Sequence, residues 1–149
     1  MEHTDTFEEF LSRKKKEGDE INIDWDKRKN SWLKSIDDLF YSIKQWLSPF
    51  ENKGLVNFKE KEIVCWEDYI GDYKAKKLEI FLGKDIVTLT PKGTFVFGNM
   101  GRIDMTGSEG EIMLLEHDWN KWKFARRTPS LITWDITEES FKDELQKLA

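Results

Sequence analysis

The chain has 149 residues, of which 38% are hydrophobic, 13% aromatic and 36% charged. That length suits one domain, able to bury roughly 70% of its unfolded surface without disulfides. A formal net charge of −5 and a pI near 5.2 exclude the basic footprint that general affinity for nucleic acid or anionic lipid requires.

Cys65 is the single cysteine, so no internal disulfide can form, and its place in the apolar run IVCW reads as a buried, reduced thiol. The opening MEHTDTFEEF lacks a basic-then-apolar signal pattern, and no stretch approaches the roughly 18 apolar residues of a membrane span. A cytoplasmic protein with no membrane partner is expected. The seven Trp and ten Phe residues supply core area out of proportion to the chain's size.

In chain order, the first element is a short helix over about 4–16. Thr6 and Glu9 have capping-box spacing, and Phe7, Phe10 and Leu11 share a face. Arg13 to Lys16 place cations in its last turn, where the helix dipole favours them, and Gly18 ends it. A charged connector follows over 19–29, with Ile21, Ile23 and Trp25 alternating as in a short edge strand. A second helix spans about 31–47, where Trp32, Ile36, Leu39, Phe40, Ile43, Trp46 and Leu47 recur at three- and four-residue spacing. Ser48-Pro49 closes it.

From Leu55 the pattern changes to period two. Strands are expected at 56–58, 62–70, 73–82, 85–91, 94–99, 102–106, 111–117, 121–127 and 131–135, separated by glycine-bearing turns. Connections this short imply antiparallel neighbours in a meander. A final helix starts near Thr137, capped by Asp135 or Thr137, with Phe141, Leu145 and Leu148 on its inner face. The fold class is therefore α+β. A curved, mostly antiparallel sheet or partial barrel of about seven to nine strands (55–135) is covered by two N-terminal helices (1–50) and one C-terminal helix (137–149), in a single domain.

Candidate sites are few. The Gly98–Gly101 turn with Arg102 and Asp104 offers backbone N–H groups and an arginine to a small polar ligand, although the glycines equally suit a hairpin or bulge. Trp119, Lys121, Trp122, Lys123, Arg126 and Arg127 interleave rings with cations, the composition that holds single-stranded nucleic acid on a sheet. In a strand, however, Lys121 and Lys123 face away from Trp122, Phe124 and Arg126. Glu67, Asp68 and Asp72, and likewise Glu116, His117 and Asp118, read as solvated turn charge, since neither group has a metal-ligand pattern. No complete catalytic set is present: there is no G-x-S-x-G, and Cys65 with His117 would need an unknown geometry. No metal or cofactor is expected.

The run of a Trp-led amphipathic helix (Trp32 to Leu47), V-T-L-T-P-x-G (Val87 to Gly93) and G-x-x-G-R-I-D (Gly98 to Asp104) resembles small bacterial proteins of uncharacterised families, and that resemblance implies no activity. The first functional expectation is thus a non-enzymatic interaction module of the immunity or antitoxin type, with a protein partner. The alternatives are a small-ligand binder or enzyme at Arg102 and Asp104, and a single-strand binder through Trp119 to Arg127. Nothing in the sequence sets an oligomeric state.

Overall fold

In the computed structural model, residues 6–68, 70–94, 101–118 and 120–149 are described, without the side chains of 18–24 and 118. The elements are α1 (Phe7–Asn52), β1 (Asn57–Glu67), β2 (Gly71–Leu82), β3 (Asp85–Gly93), β4 (Gly101–Gly107), β5 (Gly110–Asp118), β6 (Lys121–Arg127), β7 (Leu131–Asp135) and α2 (Glu138–Leu148). The α+β class and the antiparallel sheet are as the sequence leads one to expect.

The two expected N-terminal helical segments are both helical, and they are continuous. α1 runs for 46 residues, about 69 Å at a rise of ~1.5 Å per residue. It opens on the expected capping box: Glu9 N donates to the Thr6 hydroxyl at 3.2 Å, and Thr6 N donates to Glu9 at 3.1 Å. Gly18 does not stop the helix, because one interior glycine costs only about 1 kcal/mol. The sequence stays in phase across it: positions 7, 11, 14, 18, 21 and 25 lead, at three- and four-residue spacing, into Trp32, Ile36, Ile43 and Leu47. The 19–29 stretch is accordingly helix rather than connector or edge strand. Pro49 also lies inside the helix. Its missing N–H leaves the Gln45 carbonyl short of a donor, and the Ser48 hydroxyl donates to that oxygen at 3.0 Å. The helix ends instead after Asn52, where Gly54 at a φ of +74°, a conformation that favours glycine, turns the chain so that the Leu55 N–H reaches back to the Phe50 carbonyl at 2.9 Å.

The sheet is a meander, β1-β2-β3-β4-β5-β6-β7, with every neighbour antiparallel. It is open: among the described residues β1 pairs only with β2, and β7 only with β6. The segments expected at 56–58 and 62–70 merge into β1, because the charged run Lys59 to Glu62 keeps its pairing with β2 throughout. Of the segment expected at 94–99, Thr94 is a bend beyond β3 and the rest lies outside the described residues.

One irregularity shapes the molecule. β1 and β2 pair without a shift from Asn57↔Phe81 to Glu67↔Gly71, but β2 and β3 pair only from Leu78↔Leu89 to Leu82↔Asp85. Along β2 the buried positions change parity, from Leu78 and Ile80 beside β3 to Ala75 and Tyr73 beyond it. The free end of this hairpin is a two-stranded ribbon, which twists more than a wide sheet does. Its twist turns Cys65, Tyr73 and Ala75 inward and leaves Val64 and Trp66 exposed.

The core lies between α1, α2 and one face of the sheet. Trp32, Ile36, Phe40 and Ile43 meet Ile80, Leu89, Ile103, Met105, Leu114 and Phe124, with Phe141 and Leu145 of α2 closing one side. Rings carry much of this packing, with Trp32–Trp122 centroids at 5.7 Å and Phe124–Trp134 at 5.9 Å. Gly101 allows β4 to pass under Trp32: a Cβ there would sit 2.1 Å from a ring carbon. α2 opens on a reciprocal cap, with Ser140 N donating to the Thr137 hydroxyl at 3.1 Å and Thr137 N donating to the Ser140 hydroxyl at 2.8 Å.

Candidate functional site

Where α1 first crosses the sheet, several polar groups enter the core edge together. Arg28, Trp32 and Ser35 come from α1, Cys65 and Glu67 from β1, Tyr73 from β2, Thr94 from beyond β3, and Glu116 from β5. Glu67 is the hub. It accepts from Thr94 N at 2.7 Å, from the Thr94 hydroxyl at 2.8 Å, and from the Tyr73 hydroxyl. Arg28 Nη2 donates to the Thr94 carbonyl at 3.1 Å, and its charge acts on both Glu67 and Glu116. Glu116, only 1% exposed, accepts from Asn120 N at 3.1 Å and from the Ser35 hydroxyl.

Every clearly displaced titration among the described residues belongs to this cluster, a pattern that often marks a functional site. The causes are physical and largely shared. Burial lowers Arg28 from its ordinary value, opposed by the charges of Glu67 and Glu116. Burial raises Glu116, held back by Ser35, Asn120 N–H and Arg28. Burial raises Tyr73, and its hydrogen bond to Glu67 adds to that. Burial also pushes the Cys65 thiol up, away from the thiolate that nucleophilic chemistry needs. Hydrogen bonds within the chain engage Glu67 and Glu116, so the cluster ties α1 to the ends of four strands.

Glu67 and Glu116 are therefore not solvated turn charge. The ribbon twist carries Glu67 over Thr94, and the β5 face turns Glu116 inward, while Asp68, Asp72 and His117 stay exposed. A period-two reading gives the face of each strand but not the twist that brings two distant carboxylates to one arginine.

The residues singled out from sequence divide between the core and the outer surface. Gly98 and Trp119 lie outside the described residues. Gly101 is buried beneath Trp32. Arg102 and Asp104 lie on the outer face of β4 and form a bidentate pair, Nε to Oδ1 at 2.6 Å and Nη2 to Oδ2 at 3.1 Å. They share a shallow cleft of about 260 Å³ with Glu111, Met113, Arg126 and Arg127, so the structure joins two candidate sets that the sequence kept apart. Arg126 lies 3.7 Å from Glu144 of α2, and Lys123 lies 3.7 Å from Asp135. Lys121 is exposed, whereas Trp122 packs on Trp32 and Phe124 is fully buried. The rings of β6 are core rings.

Two further surfaces stand out. A cleft of about 290 Å³ between α1 and β6 is lined by Leu39, Trp46, Trp122 and Ile136 with Asp38 and Asn120, whose side chains bond each other at 3.2 Å. The second is α1 itself: residues 6–17 are all exposed, although Phe7 (76%), Phe10 (39%) and Leu11 (49%) belong to the stripe that packs the core farther along. Phe7 and Phe10 stack at 6.4 Å, and Arg13 and Lys14 each lie 5.8 Å from the Phe10 ring centre. Sequence reading placed these three on one face of a short separate helix. The continuous stripe through Gly18 was the signal that they belong to a helix overrunning its sheet.

Among the described residues no group of His, Cys, Asp and Glu is arranged to hold a metal ion. Among the described residues no helix is long and apolar enough to cross a membrane. No protein-family model, no curated protein and no solved structure matches the chain.

Proposed function

We propose that this chain is a non-enzymatic protein-interaction module and that its contact element is the overrunning N-terminal run of α1. One observation carries the reading: the stripe that buries the core at Trp32, Ile36 and Ile43 continues past the sheet and exposes Phe7, Phe10 and Leu11. Burying such a side chain is worth about 1.5–3 kcal/mol, so a partner covering all three gains several kcal/mol. Most helical stability in proteins comes from packing of an amphipathic face, and a partner would supply that packing to this end of α1. The polar cluster supports the same reading, because its carboxylates are engaged internally and its thiol is held protonated.

The test is a photo-cross-linking amino acid at Phe10, with Lys16 on the opposite side of the helix as control. A discrete protein adduct from Phe10 and none from Lys16 is expected. Equal, diffuse labelling at both positions would sink the reading.

A second reading rests on the outer cleft, where Arg102, Arg126 and Arg127 converge. It is a small-ligand site for a carboxylate or phosphate, bound by guanidinium groups. Phosphate titration followed by backbone amide NMR tests it: saturable shifts confined to β4 and β6 support it, and shifts scattered over all lysines refute it.

A further inference from the structure

The partner that fits the exposed run is a second copy of the same chain, and this inference rests on the reading of α1 as the contact element. The apolar stripe is close to symmetric along its own length. Running two helices antiparallel sets Phe7 opposite Trp25, Leu11 opposite Ile21, and Lys14 opposite Gly18, with both partners of each pair at stripe positions. Such a pair is isologous, each copy using the same patch, as a two-fold dimer requires.

Charge decides the direction. Arg13, Lys14, Lys15 and Lys16 form a basic block, while 17–26 holds Glu17, Asp19, Glu20, Asp24 and Asp26 and no Lys or Arg. Parallel, in-register helices would set basic block against basic block. In the antiparallel register Arg13 stands opposite Asp19 and Lys15 opposite Glu17, Lys16 lies on the outer side of each helix, and the like charges Glu8 and Asp24 meet only at the ends of the pair; charge patterns of this kind fix partner orientation in paired helices. Gly18, which has no Cβ, leaves room for the aliphatic stem of the opposing Lys14, whose ammonium reaches water. The lengths agree as well. The run ends at Trp25, half-buried just before Arg28 and Trp32 meet the sheet, so the two sheets sit at opposite ends of the helix pair.

We propose that the chain self-associates through residues 7–25 of α1 as an antiparallel helix pair. Two measurements on the full chain test this. Sedimentation equilibrium at roughly 0.1 mM, which populates any dimer of micromolar Kd, should give twice the 17.8 kDa of one chain. Leu11→Asp should weaken association roughly a hundredfold, since each dimer loses two buried leucines. Leu11 is exposed in the single chain, so the variant still folds. For direction, Leu11→Cys and Ile21→Cys are mixed under mild oxidation, both in a Cys65→Ser background. The mixed disulfide should predominate, whereas Leu11→Cys linking to itself would overturn the antiparallel pairing. A 17.8 kDa species throughout, with a Phe10 cross-linker still capturing a different protein, overturns the second-copy inference and leaves the contact-element reading standing. A 17.8 kDa species with no Phe10 adduct overturns both.

Discussion

Replacing Gly101 by alanine tests the packing that positions α1. A Cβ at Gly101 would lie 2.1, 2.5 and 2.6 Å from three carbons of the Trp32 ring, well inside any van der Waals contact. Trp32 has nowhere to go: it is 1% exposed, and the Trp122 ring stands against it at 5.7 Å. β4 cannot withdraw without breaking its pairing with β5, where Gly101 stands opposite Glu116. Overpacking of a tight core costs about 1–3 kcal/mol, and a clash with three ring atoms belongs at the upper end. For a chain of this size, about 3 kcal/mol corresponds to a Tm lower by roughly 6–12 °C. Urea denaturation followed by Trp fluorescence reads the free energy, and a scan of the same sample reads Tm. The double variant with Trp32→Leu isolates the cause: there Gly101→Ala should cost less than about 1 kcal/mol, because the ring it strikes is gone. A Gly101→Ala chain within about 0.5 kcal/mol of wild type would refute the close approach of β4 and α1.

The polar cluster yields three more expectations. Glu67→Ala strands Thr94 N, the Thr94 hydroxyl and the Tyr73 hydroxyl, and should cost about 3–5 kcal/mol in urea, against about 1–2 kcal/mol for Glu67→Gln, which keeps one acceptor. Because burial raises Glu116 from the ordinary 4.5, the folded state holds its proton more tightly than the unfolded state does. Its ionisation therefore removes stability as pH rises from about that value through the folded pKa, and Glu116→Gln should flatten this part of the stability–pH curve. A Glu116→Gln curve as steep as wild type would show that the slope arises elsewhere. Cys65, buried and with its pKa raised, should react with a thiol reagent more than roughly a hundredfold more slowly in the native chain than in urea. Comparable rates would contradict its burial.

Much of the fold was legible because β-strands and helices write their periods into the sequence. The 131–135 strand and the inner face of α2 lie where the sequence puts them, since Phe141, Leu145 and Leu148 fix that face, and of the two caps the sequence allows, Asp135 and Thr137, the structure uses Thr137. What misled was punctuation. Gly18 and Ser48-Pro49 are breakers by local propensity, yet the first costs less than the packing on either side of it returns, and the second has a hydroxyl filling its vacant acceptor. The candidate site was less legible, for a different reason. Arg28, Glu67 and Glu116 are far apart in sequence, and they are brought together by ribbon twist and by the angle of α1, neither of which a residue pattern encodes. Arg102 and Asp104 were found because neighbours on one face of a strand are legible. That they share a cleft with Arg126 and Arg127 depends on β5 lying between.

Hydrogen exchange along α1 at two protein concentrations tests the central claim, that the stripe beyond the sheet is covered by a partner helix. Amides of residues 32–47 should be protected at both concentrations, because the core holds them. Amides of residues 7–25 should be protected at high concentration and exchange near the free-chain rate on dilution. Equally fast exchange of 7–25 at every concentration would contradict a second copy as that partner.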